Sequence, residues 1–228
     1  MICELCNGTG QATAVVKHAY TNLSKTESVP CLCFLSKAIS AEYKLLSYLG
    51  EQYVPPDKID ARLNFNSENL VANPNLKLYG DPDSVYLQIK ALLMRHRFDQ
   101  NTKIYLMKSI NIVHDFHVQQ ANGDVPQHIS FLTNYSLLII VVGTMERNEA
   151  LAPCLAQVIN NRMEAKKPTW VYIPPMATGM DGTIITQEKS PDVAQILNEF
   201  DSVVLGSNKS TGQKPVRTES ADFSVSSK

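Results

Sequence analysis

The sequence predicts an α/β fold, in which a parallel sheet flanked by helices follows a small cysteine-bearing N-terminal module. Three observations point there. Past residue 69, short apolar runs alternate with helical patterns, as parallel sheets require. One of these runs, Leu137 to Val142, is apolar at every position, which suits a strand buried on both faces. Four of the five cysteines fall within the first 33 residues, in a segment too short to build a core of its own.

Bulk properties narrow the classes. A chain of 228 residues fits one ordinary domain with an appendage, and 44% hydrophobic residues suffice for one core. The formal charge of −1 leaves no global basic field, so any nucleic-acid contact must come from a local patch. No apolar run is long enough to cross a bilayer, and Met1-Ile2-Cys3-Glu4 has neither a basic nor an apolar leader region. A cytoplasmic protein without membrane contact is expected.

The cysteines are arranged as Cys3-x-x-Cys6 and Cys31-x-Cys33. Paired thiols at such spacing, in a reducing compartment, point to metal ligation rather than to disulfides. Four thiolates satisfy tetrahedral Zn²⁺, and Asn7-Gly8-Thr9-Gly10 permits the positive φ values of a ligand knuckle. The alternative is a set of reduced, unliganded thiols in a flexible arm, and His18 is a possible substitute ligand. The fifth cysteine, Cys154, follows Pro153 in an apolar helical pattern and reads as a small buried hydrophobe.

Phe34 to Leu49 carries a helical pattern stopped by Gly50, and Tyr53-Val54-Pro55-Pro56 then breaks any helix. The expected organisation is a module over 1–50, a linker over 51–68, a core domain over 69–206 and a tail over 207–228. The Ser/Thr/Lys-rich tail is expected to be disordered. Within the core domain, strands are predicted at Leu76–Tyr79, Lys103–Leu106, Ser136–Val142 and Thr169–Ile173. Helices are predicted at Ser84–His96, Ile110–Val118, Asn148–Lys166 and Pro191–Phe200.

The junction at Gly80 has the strand–loop–helix context in which G-x-x-x-x-G-K-[ST] cradles nucleotide phosphates. Counted from Gly80, the second glycine falls on Val85, the lysine on Tyr86 and the Mg²⁺-holding hydroxyl on Leu87. Asp81 and Asp83, with Ser84 after them, sit where backbone amides would face phosphate, and two carboxylates repel it. The apolar strand that ends in an acidic pair in P-loop ATPases ends here in Val141 and Val142.

Other polar groups admit a plain reading. His114, Asp115 and His117 form the polar face of a helix more readily than a metal site, because no third convincing ligand accompanies the two histidines. Arg95, Arg97 and Lys103 are candidate contacts to a nucleic-acid backbone, weighed against an ordinary solvated helix end around His96. Arg147, Arg162, Lys166 and Lys167 read as a solvated helix face.

Several blocks in order resemble the replicative-helicase loaders of bacteria and phages, the AAA+ family that includes DnaC, DnaI and their transposon-associated relatives. The blocks are Cys3 to Gly10, Cys31 to Lys37, Val54 to Lys58 with Leu63-Asn64-Phe65, Gly143 to Asn148, and Val158 to Thr169. The resemblance implies an AAA+-like sheet and places the sensor-1 position on Pro174. It also aligns the arginine-finger segment with Ser190 to Leu197, with Asp192 and Ile196 in place of the two arginines.

Loss of ATP hydrolysis is therefore expected, with ATP and Mg²⁺ not expected as cofactors and Zn²⁺ expected as a structural ion. The family's partners imply binding to the replicative helicase or to a helicase loader, and to single-stranded DNA. The leading expectation is an ATPase-inactive, loader-like adaptor in the DNA replication of a phage or mobile element. An inhibitor or decoy of the helicase or its loader is the alternative, and a weak, non-standard ATP-binding protein comes third. Oligomeric state is not set by the sequence.

Overall fold

The computed structural model describes residues 3, 6–17, 24–45, 52–97, 102–123, 125–142, 151–174 and 191–206. Expectations placed on His18, the end of the first helix beyond Leu45, Gly143 to Asn148, Ser190 and the tail lie outside the described residues.

A two-stranded antiparallel hairpin comes first: β1 (Gln11–Lys17) pairs with β2 (Ser24–Pro30), from Gln11↔Pro30 to Lys17↔Ser24. It was not foreseen from the sequence, since neither strand shows sustained apolar alternation. Helix α1 (Leu32–Glu42) follows directly.

The main sheet has five strands: β3 (Leu76–Gly80), β4 (Ile104–Lys108), β5 (Leu137–Val141), β6 (Thr169–Tyr172) and β7 (Asp201–Leu205). They run in the order β4-β5-β6-β3-β7, and every pairing is parallel. The connections carry α2 (Pro82–Arg95), α3 (Ser109–Asn122), α4 (Val125–Thr133), α5 (Leu151–Glu164) and α6 (Pro191–Asn198). The expected parallel sheet between helices is therefore present. The sequence reading missed α4, and it missed β7, whose half-polar edge pattern Asp201-Ser202-Val203-Val204-Leu205 hides it.

Alternation in the strands sorts two cores. Leu137, Ile139 and Val141 of β5 join Leu76, Leu78, Trp170 and Tyr172 on the face covered by α1 and α2. Leu138, Ile140 and Val142 join Val171 and Ile173 on the face covered by α3 to α6. All of β5 is buried, as a central strand between two helical layers must be.

The segment expected as a linker is packed. Leu63 and Phe65 are buried in the α1/α2 core together with Leu35 and Ile39 of α1. The backbone carbonyl of Gln52 accepts from the Ser36 hydroxyl of α1 at 3.3 Å and from the Lys90 ammonium of α2 at 2.7 Å. The cysteine-bearing helix thus shares one core with the sheet.

The chain leaves β3 toward β4 in one direction and returns through β5 and β6 in the other. Such a reversal opens a crevice at the carboxyl ends of β3 and β6, where α/β sheets bind ligands. Gly80, Val142 and Pro174 all lie at that end.

Candidate functional site

The hairpin brings the two cysteine pairs together. Gly8 and Gly10 have φ of 81° and 76°, and Asn7 has 47°, so the first pair closes into a tight knuckle. The Thr9 amide donates to the Cys6 carbonyl at 2.8 Å, and the Cys31 amide to the Gly10 carbonyl at 2.9 Å. The second pair sits at the start of α1, where Cys31 is the N-cap and its carbonyl accepts from the Leu35 amide at 3.0 Å.

The sulfurs of Cys3, Cys6, Cys31 and Cys33 all lie within 4.8 Å of one another. Individual separations are 3.4 Å for Cys31–Cys33, 3.6 Å for Cys6–Cys33 and 3.7 Å for Cys3–Cys31. Tetrahedral Zn–S bonds of about 2.3 Å place sulfurs about 3.8 Å apart, so the set fits a closed structural zinc site. None of the four is in a disulfide.

Electrostatics agree with that use. Burial raises the Cys33 thiol, and hydrogen bonds with Cys31, Cys3 and Cys6 raise it further. Burial likewise raises Cys31. Burial would also raise Cys6, but hydrogen bonds from the Gly10 and Gly8 backbone and from Cys33 and Cys31 outweigh it and bring Cys6 down to about 7. Burial thus disfavours the Cys31 and Cys33 thiolates, and a divalent cation would stabilise them. Cys3, Cys6, Cys31 and Cys33 would hold the ion, whose role would be to fix the hairpin against α1.

The turn at the carboxyl end of β3 is short. Strand β3 ends at Gly80, Asp81 is the N-cap of α2, and Pro82 is already helical. The Asp81 carboxylate accepts from the Ser84 amide at 3.1 Å and from the Ser84 hydroxyl at 3.3 Å. A single residue therefore joins strand to helix, and a carboxylate takes the amide that a phosphate would need. Asp83 lies in the first turn and Val85 is buried. Helix α2 begins two residues before the predicted Ser84, which moves Tyr86 and Leu87 a full turn into the helix.

Tyr86 packs edge-on against Tyr172 of β6, with centroids 5.9 Å apart and planes at 80°. The Tyr172 hydroxyl donates to the Gly80 carbonyl at 3.2 Å. Gly80 has φ of +128°, and a Cβ there would lie 1.9 Å from the Leu205 carbonyl oxygen of β7. This glycine serves the close approach of β7. Val141, Val142 and Pro174 are buried at the neighbouring strand ends, and the Val142 amide donates to the Tyr172 carbonyl at 3.0 Å.

Other candidates fall differently. Arg95 donates to the Pro56 carbonyl, and Arg97 pairs with Glu42 of α1 at 2.6 Å. Lys103 is exposed just before β4. His114 and His117 are exposed on α3, and they form no metal-ligand group among the described residues. Ile196 packs on the α3–α6 core. Cys154 is half-buried against that core, and burial raises its thiol.

Arg162 corrects the sequence reading. It is fully buried, not part of a solvated face. Its guanidinium donates to the carbonyls of Leu132 at 2.7 Å, Tyr135 at 3.0 Å and Pro168 at 2.7 Å, and to the Thr169 hydroxyl at 3.0 Å. Lys167 is only half-exposed and donates to the Thr133 carbonyl at 2.8 Å. The available signal was helical spacing, since Arg162 continues the buried stripe of Leu155 and Ile159.

No protein-family model matches the sequence, and no curated protein matches it. Solved structures with a similar backbone include the DnaC helicase loader, at 14% identity and a TM-score of 0.47, covering 63% of this chain and 83% of that one. AMPPCP-bound DnaA from Aquifex aeolicus is similar at 10% identity and a TM-score of 0.47, over 61% of this chain and 42% of that one. Domain III of the Thermotoga maritima replication initiation protein DnaA shows 10% identity and a TM-score of 0.47, over 61% and 57%. The chain thus spans less than half the length of the Aquifex DnaA structure, and these likenesses assign no residue role. Among the described residues, no helix is long and apolar enough to cross a membrane.

Proposed function

We propose that this protein is an ATPase-inactive, loader-like adaptor in the DNA replication of a phage or mobile element, acting by binding alone. The observation that carries the reading is Asp81, whose carboxylate caps α2 directly after Gly80. Phosphoryl transfer is almost entirely positioning and charge stabilisation. A helix N-terminus closed by its own carboxylate, with Tyr86 where a lysine would stand and Val141 and Val142 where acids would hold Mg²⁺, supplies neither.

The loader assignment is supported by the ordered blocks at Cys3–Gly10, Cys31–Lys37 and Val158–Thr169. The cysteine module and α1 would present the helicase-binding surface, with a zinc ion fixing the hairpin. The sheet domain would then act as scaffold for the module and for single-stranded DNA.

The test is a pull-down with a replicative helicase, then a loading assay and an ATPase assay. Helicase capture with stimulated unwinding and no Mg²⁺-dependent hydrolysis is expected. Capture with suppressed unwinding would turn the reading to an inhibitor. A measurable ATPase rate, or no capture, would overturn the proposal.

A further inference from the structure

A cavity of about 220 Å³ lies between α1, the end of α2 and the start of β4, away from the cysteine cluster and the Gly80 junction. It opens beside the amino end of β4, whereas the Gly80 junction is at the carboxyl end of the parallel sheet. Its lining includes Tyr43, His96, Arg97, Lys103 and Tyr135, and no carboxylate. Glu42 of α1 pairs with Arg97 of this lining at 2.6 Å.

Two features give the cavity a defined shape. The Lys103 carbonyl accepts from the Ser136 and Leu137 amides at 2.7 and 3.2 Å, which fixes the root of the lysine side chain. The Tyr43 hydroxyl donates to the Ile104 carbonyl at 3.3 Å, which holds that ring as one wall.

Tyr135 links the cavity to a run of aromatic rings. It stacks on Tyr105 with centroids 4.6 Å apart and planes at 15°. Phe131 stands edge-on to Tyr135 at 5.2 Å and is 48% exposed. Cations beside stacked, partly exposed rings are the combination by which proteins hold single strands, the charges following the backbone and the rings taking the bases.

We propose that this cavity and the Tyr135–Phe131 rings form a docking track for single-stranded nucleic acid. Lys103 meets a phosphate, one base packs on Tyr135, and the next meets Phe131. The proposal rests on the strand-binding part of the adaptor reading and does not depend on helicase contact.

The test is fluorescence anisotropy of the full chain with labelled single strands of about 12 nucleotides, as DNA and as RNA, and with duplex DNA, over a salt series. Preferential binding of either single strand is expected. Tyr135→Ala and Phe131→Ala should each weaken it about tenfold, while Tyr135→Phe, which keeps the stacking ring, should bind like the parent. Lys103→Ala should lower the salt slope by about one. Absence of binding, equal binding of duplex, or unchanged binding by Phe131→Ala and Lys103→Ala would overturn the track. Helicase capture measured on the same variants separates the two proposals. Capture without strand binding sinks the track alone, and strand binding without capture sinks the adaptor alone.

Discussion

The Asp81 carboxylate accepts a hydrogen bond from the backbone amide of Ser84 at 3.1 Å and so closes the N-terminus of α2 one residue after β3 ends. Replacing Asp81 by Ala should lower stability by about 1 kcal/mol, the usual worth of an N-cap, while Asp81→Asn should retain most of it. Urea unfolding monitored by circular dichroism measures both. If the crevice is closed by its fold and not by one charge, Asp81→Ala will still fail to hydrolyse ATP. Gain of hydrolysis in that variant would contradict the reading.

Gly80→Ala introduces a Cβ at 1.9 Å from the Leu205 carbonyl oxygen, on a residue with φ of +128°. Both effects oppose folding, so a loss of about 3 kcal/mol or more is expected. Thermal unfolding would show it, and hydrogen exchange should locate the first loosening in β7. A melting temperature equal to that of the parent would refute the close packing of β3 and β7.

Arg162→Ala leaves three carbonyls and a hydroxyl without their guanidinium donor inside the protein. A cost of about 3–5 kcal/mol is expected, from unsatisfied acceptors plus a cavity. Arg162→Lys should rescue little, because one ammonium with three hydrogens cannot span acceptors laid out for a planar fork. Denaturant midpoints of the two variants decide this, and full rescue by lysine would contradict it.

Burial lowers the Lys90 ammonium from 10.5 to about 8. The folded state therefore sheds this proton before the unfolded chain does, and between those values the unfolded chain binds more protons. Stability contributed through Lys90 is lowest below pH 8 and rises as pH climbs toward the ordinary lysine range. Lys90→Met, similar in volume, should lack this rise, so the parent should gain on the variant above pH 8. Unfolding free energies of the pair from pH 7 to 10 test it, and parallel curves would refute it.

Purified protein should carry one zinc, and Cys3→Ser or Cys6→Ser should lose it. Because thiolates are the ligands, the metal should also leave on acidification and under a strong chelator. Elemental analysis with near-ultraviolet dichroism tracks both metal content and hairpin order. A folded, metal-free parent would disprove the site.

Much of the fold was legible in local chemistry. Leu137 to Val142 announced a strand buried on both faces, and the spacings Cys3-x-x-Cys6 and Cys31-x-Cys33 announced two cysteine knuckles, because each signal sits within a few residues. The hairpin β1–β2 and the edge strand β7 were not legible. Their residues are polar enough to read as loop, and cross-strand pairing supplies what their own pattern does not. Arg162 was misread since charge suggests solvent, whereas four acceptors from two separate segments make burial tolerable.

The sequence by itself determined the alternation of strands and helices, the pairing of the cysteines by spacing, and the absence of a lysine and acids from the P-loop-like positions. These depend on residue type and period, which one chain displays directly. Only the tertiary structure decided that four sulfurs converge within 4.8 Å and that Gly80 is a glycine for the sake of Leu205. It alone packed Tyr86 on Tyr172 and set Lys103 beside Tyr135 around one cavity. Those pairs lie far apart in the chain, and only strand order and helix packing bring them together.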